Sequence, residues 1–544
     1  MNAGYQLGIV FRELWNLRIR YCVPATPGTP PEFHTFRALG RCRLAYITRS
    51  VLYLRMANAL RTHEQSLAAL REFRSMQLVA NDVLIDEESG LILADLDAAI
   101  VALEQLDYLE LPRLNEGQGI ARLVDRTPRS IVRPKHRMRI ALISFEYAGT
   151  KASGGIGTYV RITSEMLVLR GHHVHIFTSG EADTRQSVGR CLTVTTLAGS
   201  REDFQARAGE AFRLESNAAP FDVLEGPEYG CDAAMAAALV PEIPYVVRLH
   251  GPSFTIGRSN AKYVSRRARL RYAAGALRRG RWPTDPWKLD PYVDPERSNA
   301  MASDGILANS QATARECSKY WEIPADRFEV VPYAFAPPAA LSALSPLPGG
   351  STILFLGRLE VRKGVVELAK AVGKVVAAKP DVRFVFVGRS IPHPDNGKPL
   401  VDYLKALTAP WSKNVEFIEG VPYSEVPSLF EKASICVFPS DWEASGFVCM
   451  EAMSAARAVV GSSAGGMAEI IENGKSGNLV PPGNPSAIAD ALIELLSSPD
   501  LIKKYATAGR ARIQAIHSHD QIYPQQIAAY ERAILRATER RLAG

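Results

Sequence analysis

The chain contains no run of about 18 consecutive apolar residues, so no membrane-spanning helix is expected. Its first residues lack the charged segment, apolar core and cleavage site of a secretory leader. The seven cysteines, Cys22, Cys42, Cys191, Cys231, Cys317, Cys436 and Cys449, are scattered, odd in number and never spaced as CxxC. That argues against a zinc site or a disulfide scaffold and for a reducing compartment. No repeat period or low-complexity tract is present, and no lysine precedes Lys135. A dinucleotide GxGxxG fingerprint is not completed either: after Gly155 and Gly157, Val160 stands where the third glycine belongs.

What is present is ordinary in bulk. The apolar fraction is 47% and the charged fraction 22% over 544 residues, enough for a sizeable core in two large domains plus an extension. A net charge of +7 falls short of nucleic-acid binders. It suits anionic substrates or lipid head groups, and equally a plain solvated surface. The expected location is the cytoplasm, with peripheral contact at the inner membrane face as an option.

Four segments are expected. Residues 1–136 form a mainly helical N-terminal extension, rich in Arg and Leu, with helical patterning over Thr62–Val79 and Leu93–Leu106. Residues 137–340 and 351–519 each alternate short β-rich runs with helical stretches, the mark of βαβ units on a parallel sheet. Expected strands are Arg139–Phe145, His173–Thr178, Phe221–Leu224, Tyr245–Leu249, Gly305–Ala308 and Glu329–Val331, then Thr352–Leu356, Arg383–Val387, Val415–Ile418, Ile435–Phe438 and Ala458–Gly461. A proline-rich linker, 335–351, separates the halves. Residues 520–544 are an amphipathic helix expected to pack back on the N-terminal half. The fold class is thus α/β, two Rossmann-like domains facing a cleft, and ligands in such sheets bind outside the carboxyl ends of the strands.

Candidate chemistry falls at those strand ends. The strand Thr352–Leu356 runs into Gly357-Arg358-Leu359-Glu360-Val361-Arg362-Lys363-Gly364, where two cations and permissive glycines suit a diphosphate. At an effective dielectric near 20, a unit charge pair at about 4 Å contributes roughly 4 kcal/mol. An isolated RxxxxK is otherwise a solvated basic loop. Next, Glu443 and Glu451 bracket a strand–loop–helix junction. The helix expected from Ser445 or Gly446 offers the free N–H groups of Gly446, Phe447 and Val448 as an anion site. Ser462–Glu469 gives a further glycine-permitted approach or a simple tight turn. In the first half, Gly154 and Gly155 join the first strand to its helix, and His250 follows a strand; a lone His is otherwise a satisfied structural residue.

These motifs, in their order, resemble the large family 4 of retaining glycosyltransferases, of the GT-B fold, over about Arg139 to Tyr530. They are Gly154-Gly155-Ile156-Gly157, the His250 position, Glu296-Arg297 leading to Asp304 and Ala308-Asn309-Ser310, Gly357-Arg358-Leu359 with Lys363-Gly364, and the Glu443/Glu451 pair. The resemblance implies transfer of a hexosyl group from a UDP- or GDP-sugar to a glycan, lipid-linked or small-molecule acceptor, with no metal and no other cofactor. In it Arg358 and Lys363 neutralise the donor diphosphate, Glu443 faces the sugar hydroxyls and Glu451 binds the ribose. Gly446, Phe447 and Val448 offer backbone N–H groups to phosphate, Gly154 and Gly155 approach from the opposite wall, and His250 lies near the reacting carbon. Two departures bear on the pocket: Ala456-Arg457-Ala458 stands for the family's Gly-x-Pro, and Glu443-Ala-Ser-Gly446 for Glu-Gly-Phe-Gly.

Three rivals remain to be separated by experiment. Asp95-Leu96-Asp97 is an Asp-x-Asp of the kind that holds metal in GT-A transferases, though it lies in the extension. A nucleotide-sugar epimerase and a catalytically silent nucleotide-sugar-binding scaffold share the GT-B architecture. The basic stretch Arg266–Trp282 is expected to meet an anionic lipid surface or acidic acceptor, unless it is only a solvated helix. No nucleic-acid partner is expected.

Overall fold

The computed structural model describes residues 137–147, 154–280, 282, 289–346 and 351–543. The extension 1–136, with its two expected helices and the Asp95/Asp97 pair, lies outside those residues.

The first half contributes strands β1 (Arg139–Ile143), β2 (His173–Ser179), β3 (Thr184–Val188), β4 (Leu192–Leu197), β5 (Val223–Pro227), β6 (Tyr245–Leu249), β7 (Gly305–Ala308) and β8 (Phe328–Val330). They form one sheet in the order β3-β4-β2-β1-β5-β6-β7-β8, parallel from β1 across to β8. The second half contributes β9 (Thr352–Leu356), β10 (Arg383–Val387), β11 (Val415–Ile418), β12 (Ile435–Phe438), β13 (Ala458–Ser462) and β14 (Asn478–Val480). Their order, β11-β10-β9-β12-β13-β14, is parallel throughout. The expected strands are present with ends shifted by three residues at most. β3, β4 and β14 were not expected. All five residues of β3 are exposed, so it carries no apolar alternation to read.

Each half closes on its own core. In the second, Val365, Leu368, Ala369, Val372 and Val375 of the helix Val365–Ala378 are buried, the i, i+3, i+4, i+7 stripe that buries one helix face. They join Phe355, Phe386 and Leu492. In the first, Phe177, Phe212 and Trp321 anchor the corresponding cluster. Strand order reverses between β9 and β12, and again between β1 and β5, so the loops leaving these strands splay apart and open a crevice at each point.

Side chains latch the two halves together. Ser310 Oγ donates to the Ala444 carbonyl at 2.9 Å. The Glu469 carboxylate accepts the main-chain N–H groups of Gln311 and Ala312 at 2.9 and 2.8 Å, capping a helix of the other half. Lys262 Nζ lies 2.6 Å from Asp441 Oδ1, and Tyr263 Oη donates to Glu367 at 2.9 Å. The last helix, His519–Ala543, returns to the first sheet: Gln526 and Tyr530 both donate to Glu225, at 3.0 and 2.9 Å.

Candidate functional site

The loops after β9 and β12 meet at the point where strand order reverses. Gly364 closes the first loop at φ +69°, and a Cβ there would collide with the Pro439 carbonyl of the second. Glycine is therefore required twice over, by conformation and by contact. This close approach brings Lys363 Nζ onto Glu443 Oε2. Arg362 lies beneath, its guanidinium 3.6 Å from the same carboxylate oxygen and 2.7 Å from Glu360. Arg358 is 56% exposed, 3.3 Å from Glu360, and is the outermost cation of the group.

Burial pushes the Glu443 carboxyl up, but Lys363 and Arg362 outweigh it and hold the group below its ordinary value. Burial lowers the Lys363 ammonium, which Glu443 partly restores. The arrangement is a preformed charge cluster: two carboxylates, Glu360 and Glu443, fix three cations at a strand end.

The helix after β12 runs from Phe447 to Ser454, and Gly446 precedes it at φ +139° with no side chain capping the first turn. Side chains cap other helices, Ser310 capping Gln311–Trp321, Asn484 capping Pro485–Leu496 and Ser498 capping Pro499–His517, whereas the helix Val365–Ala378 after Lys363 and Gly364 also lacks a side-chain cap. The uncapped first turn leaves Phe447 and Val448 N–H groups for an anion. Glu451 lies within this helix, nearly buried, and accepts from Tyr423 Oη at 2.9 Å; burial raises its carboxyl to about 7. Glu443 and Glu451 thus serve separate surroundings. Gly465 and Gly466 spend their freedom on the chain itself, since a Cβ on either would strike the Glu443 or Ala444 carbonyl. Ser462–Glu469 is a buttress for the Glu443 loop. The Ala456-Arg457-Ala458 departure has a structural counterpart: Ala456 takes φ +49°, and Arg457, fully buried, donates to the carbonyls of Ala455 and Ala433 at 2.8 and 3.2 Å.

On the opposite wall, Gly155 opens the helix Gly155–Leu169 and has no atom within 4 Å of a Cβ built on it. At Gly154 a Cβ would collide with the Glu146 carboxylate. Glu146 accepts from the N–H groups of Gly157 and Ile156, and feels Arg358 across the cleft; burial nonetheless raises its carboxyl. The anion at this helix start is the chain's own.

His250 follows β6. Its Nδ1 lies 2.6 Å from Tyr333 Oη, and burial, then the Arg248 charge, holds its imidazole well below the usual value, so it is neutral. The loop is set by two acids. Glu228 Oε1 accepts both His250 N–H and Gly251 N–H, at 2.8 and 2.7 Å, and Glu296 accepts Ser253 N–H at 2.8 Å. Tyr333 also stacks on Phe447, with ring centroids 5.0 Å apart and planes 7° from parallel. That contact joins His250 to the start of the uncapped helix.

The structure brings Arg358, Lys363 and Glu443 together, sets Gly446, Phe447 and Val448 beside them, and connects His250 to Phe447 through Tyr333. Arg362, Glu228, Tyr333 and Tyr423 do not stand out in the sequence. Arg362 alone sits in a motif that draws notice; the others are ordinary residues until folding supplies their partners.

Comparison with known proteins gives two family matches. Residues 345–512 match "Glycosyl transferases group 1", and residues 153–335 match "Glycosyltransferase Family 4". The chain is 27% identical over 418 residues to a D-inositol 3-phosphate glycosyltransferase of Corynebacterium urealyticum, covering 69% of this chain and 92% of the relative. It is 34% identical over 171 residues to a phosphatidyl-myo-inositol mannosyltransferase of Mycobacterium tuberculosis, covering 30% and 43%. Among solved structures, a sucrose-phosphate synthase from Thermosynechococcus elongatus aligns with a TM-score of 0.55 at 20% identity, over 73% of this chain and 98% of the other.

Proposed function

Because the chain belongs to family 4 of the GT-B glycosyltransferases, we propose that it transfers a hexosyl group from a UDP- or GDP-sugar with retention of configuration and without a metal ion. The observation that carries this reading is the Arg358–Lys363–Glu443 cluster beside the uncapped helix start at Gly446. Breaking the glycosidic bond moves negative charge onto the leaving diphosphate. Fixed cations and a helix N-terminus stabilise that charge without reorganising, which is how an electrostatic site lowers a barrier.

In this reading Arg358, Lys363 and the N–H groups of Phe447 and Val448 take the diphosphate, with the Gly154-Gly155 turn approaching from the other wall through Gly155, the space at Gly154 being held by Glu146. Lys363 holds Glu443 ionised and oriented, able to accept hydrogen bonds from sugar hydroxyls. Glu451 takes the ribose hydroxyls. His250, neutral and fixed by Tyr333, presents an imidazole beside the reacting carbon rather than a cation that would repel oxocarbenium-like charge. The acceptor hydroxyl attacks on the leaving-group face, with phosphate as base. The names of two relatives, a D-inositol 3-phosphate glycosyltransferase and a phosphatidyl-myo-inositol mannosyltransferase, favour a polyol or lipid-linked acceptor alongside glycans.

A thermal-shift panel of UDP- and GDP-sugars tests donor class, since a ligand at 100 times its dissociation constant stabilises by about 2.7 kcal/mol. Turnover with the donor so found, followed by analysis of the anomeric product in the presence of a chelator, tests retention and metal independence. Donor isomerised with no acceptor present would establish an epimerase instead. Donor binding without any turnover would leave a silent scaffold.

A further inference from the structure

We propose that the outward face of the helix Arg266–Arg278, extended by Trp282, is a docking surface for an anionic lipid bilayer. The helix is amphipathic in an unusual sense, because its apolar stripe faces solvent. Arg266, Leu270, Ala274 and Leu277 fall on one side at helical spacing, with Arg267, Arg271 and Arg278 flanking them. Leu270 is 69% exposed, Leu277 57% and Trp282 85%. Ala276 is the helix's buried residue, on the inner side. The protein interior therefore does not account for the leucines.

Charge selects the partner. Seven arginines and no acidic residue lie between Val264 and Trp282. Among the described residues, no carboxylate is within ion-pair distance of Arg266, Arg267, Arg278 or Arg279. The arginines of the C-terminal helix behave otherwise: Arg532 and Arg536 pair with Glu329, and Arg540 with Asp304. A soluble polyanion would account for the arginines but not for two exposed leucines on one helix face and an exposed tryptophan four residues past the helix end. A bilayer interface accounts for both, since acyl boundaries take the apolar stripe while anionic head groups take the guanidinium rim. Tryptophan favours that boundary, with an apolar ring and a polar N–H.

The helix is held firmly at its start. Ser265 caps it at Ala268 N, and its own N–H donates to Asp395 at 2.8 Å. Three residues earlier, Lys262 pairs with Asp441, two positions before Glu443. A membrane docked here would lie beside the loop that carries the charge cluster. The inference concerns a surface distinct from that cluster, and it stands or falls independently of the proposed transfer reaction.

The test uses the full chain and sedimented vesicles, either of phosphatidylcholine alone or with about one quarter phosphatidylglycerol. Binding is expected to the mixed vesicles only, and to be lost on raising salt. Arg267→Glu/Arg278→Glu and, separately, Leu270→Ser/Leu277→Ser should each weaken it by about a hundredfold or more, with unchanged melting temperatures because all four side chains are exposed. Tryptophan emission should shift to the blue on binding, and this shift should disappear in Trp282→Phe. Equal binding to both vesicle types, or to neither, would overturn the proposal. So would retained binding in the leucine pair alongside loss in the arginine pair, which would make the face a site for soluble polyanions.

Discussion

Tyr333 Oη and His250 Nδ1 lie 2.6 Å apart, and the same hydroxyl accepts from Asn309 Nδ2 at 3.0 Å. With Asn309 donating, the hydroxyl faces two further partners, the imidazole and the Leu249 carbonyl at 3.4 Å, so it holds the ring at Nδ1 whichever nitrogen carries the proton. Tyr333→Phe removes that restraint and leaves two buried groups short of a partner. A buried unsatisfied group costs about 1–3 kcal/mol, so kcat is expected to fall about tenfold or more with donor affinity little changed. Steady-state kinetics on the identified donor check this.

Lys363→Ala strips Glu443 of its nearest cation and leaves Arg362, 3.6 Å away, as its closest neutralising charge. Donor affinity should fall steeply, and the protein should also lose stability. Making Glu443→Gln in the same chain should recover part of the stability without recovering activity. A double-mutant cycle on thermal unfolding should give a coupling of about 1–3 kcal/mol, the range for groups in direct contact. Additive effects would show that the pair is not coupled.

Gly364→Ala places a methyl group against the Pro439 carbonyl at φ +69°. The loops of β9 and β12 must then separate, which should destabilise the fold by about 2 kcal/mol or more. The control is Gly474→Ala, at a similar φ of +73° but with nothing within 4 Å of the added methyl. Its cost should be confined to backbone strain, about 1–2 kcal/mol. Chemical denaturation of both variants separates contact from conformation.

Stability should fall as pH rises through the weakly acidic and neutral range. Burial raises Asp232 to about 6 and Glu451 to about 7, and burial raises both Glu228 and Glu296, the Glu296 charge raising Glu228 further. The unfolded chain ionises these groups near their ordinary values of 3.8 and 4.5. Between those limits the folded protein binds more protons, and stability declines with pH wherever that holds. Glu451→Gln should flatten the decline up to about pH 7, and Glu228→Gln should flatten it as well, by removing one of the two facing acids. Melting temperatures from pH 5 to 8.5, where the wild type stays level, would refute the assignment of these protons.

Much of this architecture was legible in the chain. Strands such as Tyr245–Leu249 and Thr352–Leu356 announce themselves as short apolar runs bounded by polar turns, and burial on both faces of a parallel sheet leaves that mark on sequence. β3, with every residue exposed, bears no such mark. In the candidate site, charged residues at strand ends were readable because glycine and charge concentrate there. Their pairing was not. Glu443 and Lys363 are separated by 80 positions, and nothing local says which carboxylate meets which cation.

Residue order alone is enough to specify the two parallel-sheet halves, the strand ends that carry charge, and the arginine-rich helix with no acid in its own segment. These follow from local periodicity and composition, which each segment expresses wherever it is placed. Tertiary structure alone decided that Glu228 holds the His250 loop, that Tyr333 stacks on Phe447, and that Leu270 and Leu277 face outward. Each depends on which surface a neighbour covers. An apolar stripe has the same spacing whether it meets a core or water, and a buried carboxylate is fixed by donors that lie far away in the chain, as Gln526 does from Glu225.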